Sequence, residues 1–288
     1  MTLSKALQIM LLLIFQCFVN VPYAIADNIL IYIRDDVYDD YLKFVNRRDV
    51  LTINNFSGKN VRRDVVDMII AQQALKLGKF NHSFEYASGK VNFRNTQMLQ
   101  SGRLLISFDS YWLQDAQALG DDVYISQPVI RKGEYIAGIY TSPKNKKVLA
   151  IKNIDDLKNL TAVSTPKWRT DWQTLQALTL KELIREDEWL SMARMVNLQW
   201  IDFLLMSFNS TVDQSFVMDK ITLVPVAGLG IRLNDSRHFV ISTKHPKGSK
   251  AIKAIDTGLN ILRQRNAIFS AYKQAGFFID ENKIRILN

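Results

Sequence analysis

The chain has 288 residues, is 48% hydrophobic, carries a formal net charge of +9 and contains a single cysteine. That length suits one large or two modest domains, and one cysteine excludes a disulfide framework. The basic residues fall in small scattered groups (Arg47-Arg48, Arg62-Arg63, 144–147, 244–253) and form no nucleic-acid motif, so they read as solvated helix faces or as an affinity for anionic envelope surfaces.

Residues 1–26 read as a secretory signal peptide. Lys5 supplies the positive region, residues 9–19 the apolar region, and Ala24-Ile25-Ala26 a small-x-small cleavage site ahead of Asp27. The apolar run falls short of the about 20 residues that a membrane-spanning helix needs. The expected product is a soluble protein of the periplasm. Cys17 leaves a lipid-anchored alternative, against which Phe15-Gln16 count as poor lipobox residues. Cleavage after Ala26 removes the cysteine, leaving neither disulfide nor thiol nucleophile.

Ile29-Leu30-Ile31-Tyr32-Ile33 reads as the first strand, ending in the polar cluster Arg34-Asp35-Asp36-Val37-Tyr38. A helix follows, with Asn60 as N-cap, Val61, Val65, Met68 and Ile69 on one face, and Gly78 as its stop. Phe84-Glu85-Tyr86 suits a second strand and residues 93–101 a short helix. The β-α-β-α-β order implies parallel strands with right-handed crossovers.

The chain is organised around residues 104–140. Leu104-Leu105-Ile106-Ser107-Phe108 suits a buried strand, and Asp109-Ser110-Tyr111-Trp112 puts polar and aromatic groups at its carboxyl end, where open α/β sheets bind ligands. Two further extended segments, 122–129 and 135–140, are joined without a helix. That is the pattern of a chain crossing from one lobe to another, or of an antiparallel edge pair within one domain.

Beyond Tyr140, residues 154–160 suit a short helix and Ala162-Val163-Ser164-Thr165 a short strand. A capping-box pattern, Thr170-x-x-Gln173, marks the next helix start. Trp168-Arg169 just ahead of it is the best candidate anion site, since helix amides point there; the competing reading is a packed Trp beside a solvated Arg. Residues 200–208 and 212–218 suit strands, the first equally a helix end. Residues 223–226 with Gly228 and Gly230 look loop-like, 238–242 suit a strand, and two helices, 249–265 and 267–274, close the chain before Gly276.

Metal ligation needs clustered His, Cys or carboxylates, and His82, His238 and His245 are far apart. No nucleophile elbow, P-loop or Ser-x-x-Lys pair is present. Gly228-Leu229-Gly230 is only a fragment of a dinucleotide fingerprint, and the adjacent pairs Asp35-Asp36, Asp39-Asp40 and Asp121-Asp122 point to opposite faces of a strand. No cofactor, metal or catalytic residue is implied. An enzyme on the same scaffold, a dehydratase or a cell-wall-acting module, is the rival, with Asp35, Asp109 or His238 as its titratable groups.

Four segments carry a family resemblance: Asp122-Val123-Tyr124-Ile125-Ser126-Gln127-Pro128, Ile151-Lys152-Asn153-Ile154-Asp155-Asp156-Leu157-Lys158, Arg237-His238-Phe239-Val240-Ile241-Ser242 and Ala271-Tyr272-Lys273-Gln274-Ala275-Gly276-Phe277. Their order resembles bacterial extracellular solute-binding proteins of family 3, the type II, amino-acid-type periplasmic binding proteins. The resemblance implies an α/β fold of two lobes, each a mostly parallel sheet flanked by helices. Residues 27–132 and 234–288 would form lobe one and 133–233 lobe two. It implies a monomer that closes on a small polar solute and serves an ABC permease or a membrane sensor, with no nucleic acid involved. The family's Thr-x-x-x-Arg segment, whose Arg grips a ligand carboxylate, is replaced by Asp109-Ser110-Tyr111-Trp112-Leu113-Gln114-Asp115, and the Gly-Thr loop of lobe two by Ser164-Thr165-Pro166-Lys167-Trp168-Arg169. The family's ligand-contacting Asp falls to Asp202, Asp213 or Asp219. An aromatic-lined, differently charged cleft follows. The candidate ligand-binding residues are Asp35, Tyr38, Asp109, Ser110, Tyr111, Trp112, Thr165, Trp168 and Arg169. Tyr38, Tyr111, Trp112 and Trp168 would enclose the solute, Asp35 and Asp109 would meet a cation, and Arg169 an anion.

Overall fold

The computed structural model describes residues 28–88 and 92–288. Residues 1–26, read above as a signal peptide, and Cys17 within them lie outside these residues. Among them, no helix is long and apolar enough to cross a membrane.

β1 (Ile29–Ile33) pairs in parallel with β2 (Phe84–Ser88). The polar cluster after β1 is not a loop. It opens α1 (Asp35–Val45), whose first-turn Asp35 and Asp36 suit the positive end of a helix while Val37, Tyr41, Phe44 and Val45 are buried at helical spacing. α2 (Arg63–Leu77) starts after Arg62, not at Asn60, which turns the chain at φ 58°. It is buried along nearly its whole length. Gly78 ends α2 for a reason other than backbone freedom: its φ is −77°, and a Cβ there would run into the Ala254 carbonyl. A Cβ on Gly258 would likewise meet the Ala74 carbonyl, so α2 and α8 (Gly248–Gln264) cross in near backbone contact.

After α3 (Asn92–Gln100), residues 104–108 are buried as expected, but one bridge, Ile106 to Ile241, replaces the expected strand. The adjoining sheet is antiparallel, in the order β3 (Tyr111–Trp112), β11 (Arg237–Ser242), β4 (Val123–Ile130). α4 (Leu113–Gln117) follows β3 directly.

The chain then changes sheet. β5 (Ile136–Thr141) belongs to a second sheet with β8 (Leu204–Ser207), β10 (Ile221–Arg232), β9 (Phe216–Met218) and β12 (Arg285–Ile286). Around it lie α5 (Lys146–Leu149), the parallel pair β6 (Thr161–Ser164) and β7 (Glu182–Arg185), α6 (Arg169–Ala177) and α7 (Trp189–Asn197). β10 leads back to β11, followed by α8 and α9 (Ala267–Gln274). The outgoing and returning connectors are tied where Leu233 N–H donates to the Tyr135 carbonyl at 3.0 Å. Residues 122–140 are therefore a crossing, not an edge pair.

Three details differ from expectation. Among the described residues, parallel pairing joins β1 to β2, β6 to β7 and β10 to β12, while the ladders beside the crossing are antiparallel. The sheets are less parallel than the resemblance implies, because β5 leaves and β10 returns side by side. Residues 223–226 lie inside the 12-residue β10, where the register shifts between Pro225 and Gly230. Pro225 still stands in register with Tyr140, and the irregularity follows it, with Gly228 at φ 69° inside it. Finally, β12 carries the tail back to Leu229 and Gly230, in the second lobe's sheet, rather than staying with lobe one.

Candidate functional site

A cleft of about 1080 Å³ lies between the β3–β11 edge of one lobe and β8, β9 and the start of α6 in the other. Its lobe-one wall is built around Asp67. This carboxylate sits in the fully buried middle of α2, so it must be partnered. Arg63, one helical turn earlier, donates to it at 2.6 Å, and Ser110 donates through its N–H at 3.0 Å and its hydroxyl at 2.6 Å. The buried Tyr272 hydroxyl donates to its other oxygen. Arg63 also reaches Asp109 at 2.7 Å and pairs with Asp64.

Arg237 on β11 donates through Nε to the Ser110 hydroxyl at 2.9 Å and through its terminal nitrogen to the Ser110 carbonyl. Its guanidinium lies 4.7 Å from the centre of the Trp112 ring. Burial pushes the Asp67 carboxyl up, against the opposing pull of Arg63. Burial works against charge on Arg63 too, but Asp64, Asp109 and Asp67 outweigh it and hold the guanidinium well above its usual value. Arg237 is lowered by burial and by the like charge of Arg63.

The lobe-two wall is aromatic and less internally bonded. Trp168 and Trp189 have ring centres 6.2 Å apart, and Phe216 meets Trp189 edge-on at 5.6 Å. Phe216 and Met218 both line the cleft because alternate residues of β9 face the same way. Asp171 in the first turn of α6 also lines it, and burial pushes its carboxyl up to about 6 despite the attraction of Arg237. Asp115 on the opposite wall is raised by burial as well, partly offset by Arg169.

Of the residues singled out in the sequence, Asp109, Ser110, Tyr111, Trp112 and Trp168 meet at this cleft. The other four do not line it. Asp35 and Tyr38 are carried off by α1: Tyr38 stacks on Tyr86 with ring centres 3.4 Å apart, and the Tyr86 hydroxyl donates to Asp35 at 2.7 Å. Thr165 is buried and donates to Asp187 at 2.6 Å. Arg169 crosses to lobe one instead of facing an anion, with its Nε 3.5 Å from Asp115 and a terminal nitrogen donating to the Gln114 carbonyl at 3.3 Å. Asp109 meets Arg63 in place of a ligand cation, and Trp112 is packed, only 7% exposed.

The capping box at Thr170 does not form, because the Thr170 hydroxyl is spent on Asp235 at 3.3 Å. His238 is buried and structural: its Nδ1–H donates to the Ser126 carbonyl at 2.7 Å, so Nε2 accepts from Ser236 at 2.8 Å, and burial lowers its pKa. Asp202 caps Thr161, Asp213 organises the 209–215 turn and Asp219 turns the β9–β10 hairpin at φ 51°; none lines the cleft.

Arg63, Arg237, Asp171, Trp189 and Phe216 were not legible as site residues. One signal did exist for the first: Asp67 interrupts the apolar run Val65-Val66-Asp67-Met68-Ile69-Ile70 four residues after Arg63, and a buried carboxylate demands a cation at that spacing.

In three dimensions the chain is similar to the GluR0 ligand-binding core in complex with L-glutamate, with a TM-score of 0.54 and 12% identity over 73% of this chain and 89% of that one. It is similar to the periplasmic VFT2 domain of BvgS from Bordetella pertussis, with a TM-score of 0.52 and 13% identity over 72% and 83%. A mutant of ArgBP from T. maritima gives a TM-score of 0.50 and 11% identity over 86% and 94%. The fold is that of the two-lobed periplasmic binding proteins. No family model matches the sequence, and no curated protein does either.

Proposed function

We propose that the protein is an exported solute-binding protein whose lobes, 27–132 with 234–288 (its last strand, β12, apart) and 133–233, close on a small polar solute. It would act as a monomer in the periplasm and serve an ABC permease or a membrane sensor. One observation carries this: a polar wall from lobe one and an aromatic wall from lobe two face a single cleft, and the chain passes between the lobes through two short connectors bonded to each other at Tyr135 and Leu233. Such connectors absorb a hinge rotation, and a ligand touching both walls favours closure through contacts that the open form lacks.

Binding rather than turnover fits the chemistry of the walls. Asp109 lines the cleft but is paired with Arg63, Asp35 lies off the cleft against Tyr86, and His238 is bonded to Ser126 and Ser236, so each of the three titratable groups named for an enzyme is already engaged within the protein. A thermal-shift screen of small polar solutes, followed by X-ray scattering of the hits, tests the proposal. A hit should raise the melting temperature by mass action and reduce the radius of gyration. Chemical conversion of the hit, or a library with neither stabilisation nor compaction, overturns it.

A further inference from the structure

The cleft of a protein with net charge +9 is not a basic site. Among the described residues, every cationic side chain that lines it already has a carboxylate partner. Arg34 meets Asp36 at 3.1 Å, Arg62 meets Asp64 at 3.1 Å, and Arg63 meets Asp67 and Asp109 at 2.6 and 2.7 Å. Lys167 reaches Asp187 at 3.2 Å and Arg237 reaches Asp109 at 3.7 Å. On the acidic side, Asp36, Asp64 and Asp109 belong to those pairs and Asp115 is held by Arg169 at 3.5 Å. Asp171 lines the same cleft and has no ion-pair partner among the described residues. The first turn of α6, whose start the sequence marked for an anion, itself carries this carboxylate.

Trp168 is the N-cap residue of α6 and Asp171 lies in its first turn; both line the cleft, and Trp168 is 37% exposed. Trp189 and Phe216 extend the ring surface away from it. Aromatic faces attract cations, and a desolvated carboxylate accepts most strongly from a charged N–H donor that replaces lost water.

Resting on the solute-binding proposal, we infer that the cleft selects an organic cation, its ammonium or guanidinium end on Asp171 and its body against Trp168, Trp189 and Phe216. Among the described residues a solute carboxylate finds no uncommitted cation on either wall, and seating one means competing with a carboxylate already in place, exposed at Lys167 and Arg34 and largely buried at Arg63 and Arg237. Amines should therefore bind better than zwitterions, and zwitterions better than dianions.

Calorimetric titration and thermal melts at pH 7.5 with putrescine, agmatine, L-arginine, L-glutamate and succinate test this. Putrescine or agmatine should bind and stabilise, while glutamate and succinate should not. Asp171→Asn should weaken the cation at least tenfold while melting no lower than the parent, and Asp171→Glu should restore part of the affinity. Tighter binding of glutamate or succinate than of either amine overturns the inference, as does cation binding unchanged in Asp171→Asn. Where neutral or anionic solutes from the wider screen compact the protein and amines do not, the solute-binding proposal stands and the cation inference falls. Where no solute of any charge compacts it, both fall.

Discussion

The two walls of the cleft are built on opposite principles. On lobe one, Asp67, Arg63, Asp109, Ser110, Arg237 and Tyr272 satisfy one another, so the wall is set before any ligand arrives. On lobe two, Asp171 has no ion-pair partner among the described residues and Trp168 is 37% exposed. A polar group that spends its bonds internally stabilises the fold, whereas one held partly desolvated without a partner costs stability and is available to a ligand. Mutations should separate the walls accordingly.

The largest effects belong to lobe one. Asp67→Ala leaves Arg63 and Tyr272 facing a void and should cost about 3–5 kcal/mol in urea unfolding, the range for breaking a buried charge pair. Trp112→Ala should cost about 3–5 kcal/mol as well, because a packed ring leaves a cavity. A loss below about 1 kcal/mol in both would mean that the lobe-one wall is not a stability element.

The next effect has the opposite sign. The Asp171 carboxyl titrates at about 6 against an ordinary 3.8. Between those values the folded protein holds a proton that the unfolded chain has released, so stability falls as pH rises through that window and the cost is complete above about pH 6. Asp171→Asn should match the parent near pH 4 and exceed it by about 1–3 kcal/mol at pH 7.5, the upper figure discounted for partial exposure. Denaturant midpoints measured at both pH values check this, and equal gains at both would show that charge is not the cause.

Trp168→Ala sharpens the contrast with Trp112. It should leave stability within about 1 kcal/mol of the parent yet weaken the solute found by screening by roughly 1–3 kcal/mol, the contribution of burying one large side chain. A melt as depressed as that of Trp112→Ala would move Trp168 to the structural side. The smallest effect is expected at Arg169, whose side chain is 42% exposed where it meets Asp115. Arg169→Ala should cost no more than about 1 kcal/mol, the usual range for an exposed pair, but enlarge the ligand-free radius of gyration by loosening one tie between the lobes. An unchanged radius would remove Arg169 as a tie.

Local pattern was enough for much of the fold. The β-branched run 29–33, the apolar stripe and stop of 267–274, and two extended segments joined without a helix at 131–135 each depend on near neighbours in sequence, and each is where it was expected. Gly78 was rightly read as a stop, although the reason, contact with Ala254, is tertiary. Asp35 and Tyr38 were misplaced because a polar cluster after a strand suits a loop or a helix start equally well, and burial of Val37, Tyr41 and Phe44 decided for the helix.

The charge balance of the cleft is a different kind of fact. Whether Arg63 is available to a ligand depends on Asp109, 46 residues away, and whether Arg169 faces an anion depends on Asp115 across the cleft. Short-range periodicity is set by backbone geometry and survives in the sequence. Ion pairing and desolvation act through space, so only the folded chain decides which charges are spent and that, among the described residues, Asp171 is left without an ion pair.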